Sequence, residues 1–346
     1  MTTAYTPPRD PLDAVTHADP YPYYRDLVAR RSLAYDATLG VWVAASASAV
    51  RATLTSGACH VRPVAEPVPA PLLGSPAGDI FGRWARMNDG ADHARLKRAF
   101  IAALDGLDVG HLRERSAFWA QTLFAALDPA RDPGRLAEFA YQLPVYTLGE
   151  LLGIPVNQLP DIARWIGEFA SGLSPLSDEV GIARGRAATP ELVSVFTALH
   201  EREAPSDEKL YPRFAAEAAR NGQMADATLI ANGIGMLWQS YEATAGLIGA
   251  TLLLLDRRPD IAQLVRDDMD ALPLVIQETL RYDPPIQNTR RFLAEDALVD
   301  GQEMRAGDAV LVLLAAANHD PAANREPERF DPFRGERAIF TFGVGA

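Results

Sequence analysis

The feature that most limits the fold is a proline-free stretch from Asp226 to Arg258, which reads as a single helix of roughly eight turns ending before Pro259. A second strong helix runs from Asp92 to Ala103, where Leu96, Ala99, Phe100 and Ala103 are set against His93, Arg95, Lys97 and Arg98. Further helices are predicted over about 111–127, 135–152, 159–171 and 190–202. A short helix after Pro20-Tyr21-Pro22 ends near Arg31, and another starts at Ser46, a plausible N-cap, and runs to Thr55. Met269–Tyr282 is helical until Asp283-Pro284-Pro285 stops it, and the proline-rich stretch 63–76 reads as a long loop. Strand-like pieces are few: Leu33–Tyr35 with Val41–Val43 as a hairpin, then Thr289–Phe292, Leu298–Val299 and Ala309–Leu314. The expected class is therefore mainly α with a minor β part (α+β). A regular βαβ alternation is absent, which argues against a doubly wound sheet.

Composition narrows the function. With 346 residues, 48% hydrophobic and 23% charged, the chain can bury a sizeable core as one large domain or two. Lys and Arg number 33 against 45 Asp and Glu, a net charge of −12 that argues against a nucleic-acid binder or a protein docking on anionic lipid. Lys97 and Lys209 are the only lysines, so nearly all positive charge is arginine. Cys59 is the only cysteine, which excludes an internal disulfide framework and a multi-cysteine metal site. The opening MTTAYTPPRDPLD has no signal-peptide pattern, and the apolar run Leu247–Leu255 is too short to span a bilayer. The expectation is a cytoplasmic protein without membrane contact. No dinucleotide fingerprint, phosphate loop, nucleophile elbow or zinc-protease motif occurs.

Several constellations occur in order. Glu278 and Arg281, three apart in Glu278-Thr279-Leu280-Arg281, share a helix face and can form a charge-assisted pair. Downstream lie Ala317-Asn318-His319-Asp320-Pro321, Pro327-Glu328-Arg329-Phe330-Asp331-Pro332 and the closing Phe340-Thr341-Phe342-Gly343-Val344-Gly345-Ala346. This ordered set resembles the cytochrome P-450 superfamily of haem-thiolate enzymes in its soluble bacterial form, across essentially the whole chain. The resemblance implies a single P-450 domain over residues 1–346, incomplete at its C-terminus. It implies a buried structural triad of Glu278, Arg281 and Arg329, and a haem-binding loop that opens with Phe342, Gly343 and Gly345.

Two further matches concern the haem carboxylates. Asp92-His93-Ala94-Arg95-Leu96-Lys97 resembles the helix that sets a histidine and a basic residue four later against a propionate. Residues four apart share a helix face, so His93 and Lys97 suit one carboxylate. The family usually carries arginine at the second position; Lys97 keeps the charge without the bidentate fork. Arg291 resembles the strand arginine that pairs with a propionate, with Arg290 as the competing choice. On the long helix, Gln239-Ser240-Tyr241-Glu242-Ala243-Thr244 resembles the segment crossing the oxygen-binding face, and Glu242 occupies its acid position. Ser240 replaces the glycine that lets that helix open, and Ala243 replaces the threonine that helps deliver protons. Thr244, about 100° further round, is no automatic substitute.

The resemblance implies a haem-thiolate monooxygenase with haem b (iron protoporphyrin IX), inserting one oxygen atom from O2 into a C–H bond of a small organic substrate. Glu242 would relay protons, with Ser240, Thr244 or water beside it. The axial cysteine is expected just beyond Ala346, and Cys59 is read as a buried or incidental thiol. A separate ferredoxin or flavodoxin would supply electrons to a monomeric enzyme, with Arg95 and Arg98 as candidates for docking it. Pocket walls are expected at Trp238, Gln239 and Ile286, Gln287 and Asn288, together with the 61–80 and 165–190 regions, the polar members anchoring the substrate. Two alternatives stand beside this: a peroxide-using haem enzyme of the same fold, and a truncated, haem-free binding or interaction protein.

Overall fold

A computed structural model describes residues 5–30, 32–174, 177–202, 209–222 and 224–344. In chain order its elements are α1 (Tyr21–Arg30), β1 (Leu33–Asp36), β2 (Val41–Ala44), α2 (Ala47–Thr55), β3 (Cys59–His60), α3 (Pro76–Arg83), α4 (Gly90–Asp105), α5 (Val109–Leu127) and α6 (Arg135–Leu152). These are followed by α7 (Leu159–Leu173), α8 (Glu179–His200), α9 (Leu210–Arg220), α10 (Asp226–Arg257), α11 (Pro259–Asp267) and α12 (Leu272–Tyr282). The chain closes with β4 (Thr289–Leu293), β5 (Ala297–Val299), β6 (Gln302–Met304), β7 (Ala309–Val312) and α13 (Leu314–Asn318). They fall into two compact units, Met1–Val64 with Gly246–Ala346, and Ala65–Ala245.

The first unit is built on a five-stranded sheet in the order β1-β2-β7-β4-β3, beside the two-stranded β5-β6 ribbon. Strand β2 runs parallel to β7, and β4 and β3 continue antiparallel with Arg291 opposite Val310 and Cys59 opposite Leu293. Side chains alternate across a strand. Accordingly Leu311 packs with Ala14, Tyr24 and Ala315, while Val310 and Val312 pack with Val50, Leu293 and Phe340. Burial on both faces makes β7 a continuous apolar run. That is why the expected strand Ala309–Leu314 overran: the strand ends at Val312, and Leu314 opens α13. Ser46 caps α2 by accepting from the Ala49 N–H at 3.2 Å. Asp320 adds a second acceptor there, taking the Ala47 N–H at 2.8 Å.

The second unit packs α3–α9 around the first half of α10. Helices α7 and α8 cross at Gly172 and Gly185, where a Cβ on Gly185 would lie 2.7 Å from the Gly172 Cα. Helix α8 begins well before the expected 190: Asp178 caps it, accepting from Gly181 N–H at 2.8 Å, and Pro190 sits inside it. Pro190 and Arg186 one turn earlier both lie on the exposed face of the helix, and the proline marks no boundary. The sequence reading did not anticipate α3 and α9. Helix α3 starts on Pro76 with Ser75 as cap, at the edge of the proline-rich stretch. On α10, Gly233 admits Phe196 and Tyr211 and Gly235 admits Trp84, each within 2.8 Å of where a Cβ would stand. Among the described residues no helix is long and apolar enough to cross a membrane.

Candidate functional site

In the second unit the site grows from Asn232, a buried amide on the apolar helix α10. Its side chain accepts from the Ala85 N–H at 2.9 Å and donates to the Arg83 carbonyl at 2.8 Å. This clamps the segment 83–88 to the helix. Trp84 is fully buried below it and donates its indole N–H to the Ala231 carbonyl at 2.9 Å. The clamped Ala85 carbonyl in turn accepts from His93 Nδ1 at 2.8 Å. A carbonyl only accepts, so the Nδ1 proton is fixed and Nε2 remains for another partner. Half-buried Lys97 follows one turn later on the same face of α4. Arg95 pairs with Asp92, and Arg98 is exposed.

Trp238 stacks on Trp84 with ring centroids 4.7 Å apart, and the Arg86 guanidinium lies 5.1 Å from the Trp238 centroid. The Trp238 indole nitrogen is buried without a hydrogen-bond partner. Glu242 stands one turn further along α10 as an exposed residue whose carboxyl is partly desolvated, which raises it above the ordinary range while Arg86 draws it back. Its neighbour Tyr241 points elsewhere, its ring tilted against Tyr141 with centroids 4.7 Å apart and its hydroxyl against Gly167. Helix α10 runs unbroken through this segment. The Ser240 hydroxyl donates to the Leu237 carbonyl at 2.9 Å, so its proton is held by the helix. Ala243 is half-buried, Thr244 is exposed, and Gln239 is exposed with its amide folded back onto the Gly235 carbonyl at 3.1 Å.

In the first unit Glu278 and Arg281 form a pair at 2.7 Å with both side chains fully shielded from water. Arg281 also donates to the carbonyls of Asn318, Pro327 and Arg329 at 3.2, 2.8 and 3.3 Å. The third cation differs from the expected one. Arg329 offers only its backbone; its side chain is 66% exposed beside Glu326 and Asp331. Arg334 and Arg337 take the place, at 3.4 and 2.9 Å from the Glu278 carboxylate. The reason is geometric: the Arg329 carbonyl is turned inward to accept from Arg281 and Arg334, and its side chain points out. Burial disfavours the Glu278 charge, but Arg281, the Asp331 N–H and Arg337 outweigh it and hold the carboxyl below its usual range.

Asn318 and Asn324 tie the closing loop to this network. Asn318 accepts from Phe340 N–H at 2.7 Å and donates to Thr341 Oγ1 at 3.0 Å, while Asn324 bonds both the N–H and carbonyl of Ala338. The loop then turns through Gly343 at φ +85°, a conformation suited to glycine, and leaves Phe342 exposed. Gly345 lies outside the described residues. On β4, Arg291 is half-buried and Arg290 exposed, as the period of two requires. Cys59, on the adjoining strand, is buried, and burial pushes its thiol up. Of the expected pocket residues, Ile286 packs into the sheet core and Asn288 is half-buried. Gln287 is engaged elsewhere: its side-chain carbonyl accepts from the Tyr24 hydroxyl at 2.8 Å, which makes it a strut between α1 and β4 rather than a substrate anchor.

Trp84, Arg86 and Asn232 were missed by sequence reasoning. A polar Asn232 on an apolar stripe was the available signal. Arg334 and Arg337 were also passed over, although both follow Asp331-Pro332 within a few residues.

Residues 200–339 match the family model described as Cytochrome P450. The vitamin D(3) 25-hydroxylase of Pseudonocardia autotrophica is 30% identical over 260 residues, covering 74% of this chain and 63% of that protein. The 6-deoxyerythronolide B hydroxylase of Saccharopolyspora erythraea is 32% identical over 263 residues, 75% of this chain and 63% of that protein. The chain thus spans somewhat under two thirds of the length of these curated relatives. Among solved structures, that of CalO2 superposes with a TM-score of 0.83 at 28% identity, covering 97% of this chain and 84% of the other. The P450BioI structure, in complex with a fatty-acid-ligated acyl carrier protein, has a TM-score of 0.78 at 21% identity over 94% of this chain and 85% of the other, which speaks to the fold alone. A mainly helical fold with a small β part, an ordered Glu-x-x-Arg network and these relatives agree: the chain belongs to the cytochrome P450 family.

Proposed function

We propose that the protein is a haem-dependent monooxygenase, placing one oxygen atom from O2 into a C–H bond of a small organic substrate with electrons from a separate ferredoxin or flavodoxin. The observation that carries the reading is the pair His93 and Lys97, presented on one face of α4 with the histidine tautomer fixed by Ala85. In a chain of net charge −12 such a pair suits a carboxylate. The residues that would hold haem b are these two, Arg291 on β4, and the backbone of the loop at Phe342 and Gly343, with Gly345 following.

When bound, the haem would supply the redox chemistry, held by a cysteine thiolate of the kind the family uses. The buried Cys59 is not assigned to that role. The chain's own part is orientation and proton handling. With Nδ1 engaged by the Ala85 carbonyl, His93 would turn Nε2 toward a ligand carboxylate beside Lys97. Glu242 is the proton-handling group: its raised carboxyl takes and returns a proton closer to neutrality than an ordinary glutamate does. Ser240, whose hydroxyl donates to the helix, can act here only as an acceptor. Ala243 brings no hydroxyl, and exposed Thr244 is the nearest alternative. Trp238 contributes an apolar wall for the substrate. Exposed Arg98 is the better candidate for an acidic electron donor, since Arg95 is paired with Asp92.

The deciding experiment supplies the purified holoenzyme with O2 and a reduced ferredoxin, and separately with hydrogen peroxide. Oxygenated product in the first arm supports the proposal. Turnover with peroxide alone overturns it in favour of a peroxide-using enzyme, and the absence of any haem overturns both.

A further inference from the structure

We propose that the cleft between α5, α6 and the start of α9 binds a small organic anion, an apolar body that carries a carboxylate or phosphate headgroup. The cleft lies wholly within the second unit, and the inference is independent of the haem reading.

The cleft has a volume of about 490 Å3, which suits a small molecule rather than a single ion. Its walls are of two kinds. Half-buried Leu107, Leu112 and Leu151 supply an apolar one, and Lys209 and Arg213 supply a cationic one. Arg213 is held in place before any ligand arrives. Its Nη1 donates to the Gly106 carbonyl at 2.6 Å, in the turn that joins α4 to α5. A Cβ on Gly106 would fall 1.6 Å from the Arg213 Nη2, so the guanidinium fills the space that a side chain there would need.

The acids around the cleft are committed elsewhere. Glu150 accepts from Arg115 through both oxygens at 3.1 Å and from the Trp119 indole N–H at 2.6 Å. Asp108 caps α5, accepting the His111 N–H at 3.0 Å. Glu217, one turn beyond Arg213, pairs with Arg220. Lys209 reaches Glu150 only through its field. Among the described residues neither Lys209 nor Arg213 forms an ion pair. Helix α9 sharpens the imbalance. Lys209 is its N-cap and makes no side-chain cap bond, and the first turn holds no acidic residue. Two cations therefore gather at the positive end of a helix dipole, where anions are favoured and cations are not. On the wall opposite, the Thr147 hydroxyl is shielded from water without a hydrogen-bond partner. An anionic headgroup relieves the charge excess, and the leucines take the body behind it. A bare ion would leave the leucines unused, and a neutral molecule would leave the cations unmatched.

The test exploits a composition in which Lys97 and Lys209 are the only lysines. Reductive methylation of the full chain with 13C-formaldehyde keeps the lysine charge and yields few resonances, and that of Lys209 is identified by its loss in Lys209→Arg. The labelled protein is titrated with octanoate, octyl phosphate, octanol and inorganic phosphate. Octanoate and octyl phosphate are expected to shift the Lys209 resonance saturably, and the tighter of the two identifies the preferred headgroup. Octanol should leave the resonance in place, and inorganic phosphate should bind about ten-fold more weakly than the amphiphiles. Arg213→Gln should weaken amphiphile binding about ten-fold, and Arg213→Lys should restore most of it, both checked for native near-ultraviolet circular dichroism. A Lys209 resonance unmoved by either amphiphile, or moved equally by octanol, overturns the proposal. So does unchanged affinity in Arg213→Gln.

Discussion

Arg281 and Glu278 meet at 2.7 Å with neither side chain reaching solvent, and the guanidinium is saturated by three backbone carbonyls around it. A buried pair of this kind is a poor source of net stability but a costly one to break, because the surviving partner is left charged and unmatched. Glu278→Gln should therefore destabilise the protein by about 3–5 kcal/mol. Arg329→Ala, on a side chain that is 66% exposed, should change stability by no more than about 0.5 kcal/mol. Urea unfolding of both variants checks the contrast. Equal losses would restore Arg329 to the network.

His319 gives the protein a pH-dependent stability. Burial pushes its imidazole down to about 4 from 6.5, and the ring donates from Nε2 to the Tyr282 carbonyl at 2.8 Å while Nδ1 has no partner. The fold favours the neutral ring. Below pH 6.5 the unfolded chain takes up a proton that the folded one resists until about pH 4. The stabilisation is complete above 6.5 and is lost as pH falls through that window, by about 3 kcal/mol in all. Comparing urea midpoints at pH 7 and pH 5 should show a steeper fall in the natural protein than in His319→Gln.

Two glycines give opposite signs. Gly185→Val drives side-chain carbons into the α7 backbone at Gly172 and should cost about 1–3 kcal/mol. Gly249, in helix α10, has nothing within 4 Å of a Cβ. Gly249→Ala should stabilise by about 0.5–1 kcal/mol through helix propensity alone. Thermal unfolding distinguishes them.

The proposed carboxylate-binding role of His93, Lys97 and Arg291 predicts selective loss of haem. His93→Ala, Lys97→Ala and Arg291→Ala should each weaken haem retention about ten-fold, equivalent to about 1.4 kcal/mol. Arg290→Ala and Arg98→Ala, on exposed side chains, should leave it unchanged. Spectral titration of the haem-depleted protein measures this.

How much of this was legible in the sequence follows from what each signal depends on. The eight-turn helix and the α4 face were readable because they rest on local spacing, and α10 indeed runs from Asp226 to Arg257. The Glu278–Arg281 pair was readable because its members lie one turn apart. Its other cations were not: which of Arg329, Arg334 and Arg337 turns inward depends on the path of an irregular loop fixed by Asn318 and Asn324. Pro190 misled because it sits on the exposed face inside a longer helix that Asp178 starts. Gln287 misled because its polarity suggested a ligand, whereas the Tyr24 hydroxyl comes from more than 260 residues away. Arg86 was invisible for the same reason.

The proposed function requires above all that this chain hold haem in the manner of its family. The most direct measurement is the absorbance of the purified protein, reduced and equilibrated with carbon monoxide. A haem Soret band at one haem per chain is expected. A protein that folds with the same helical content and shows no haem band would contradict it.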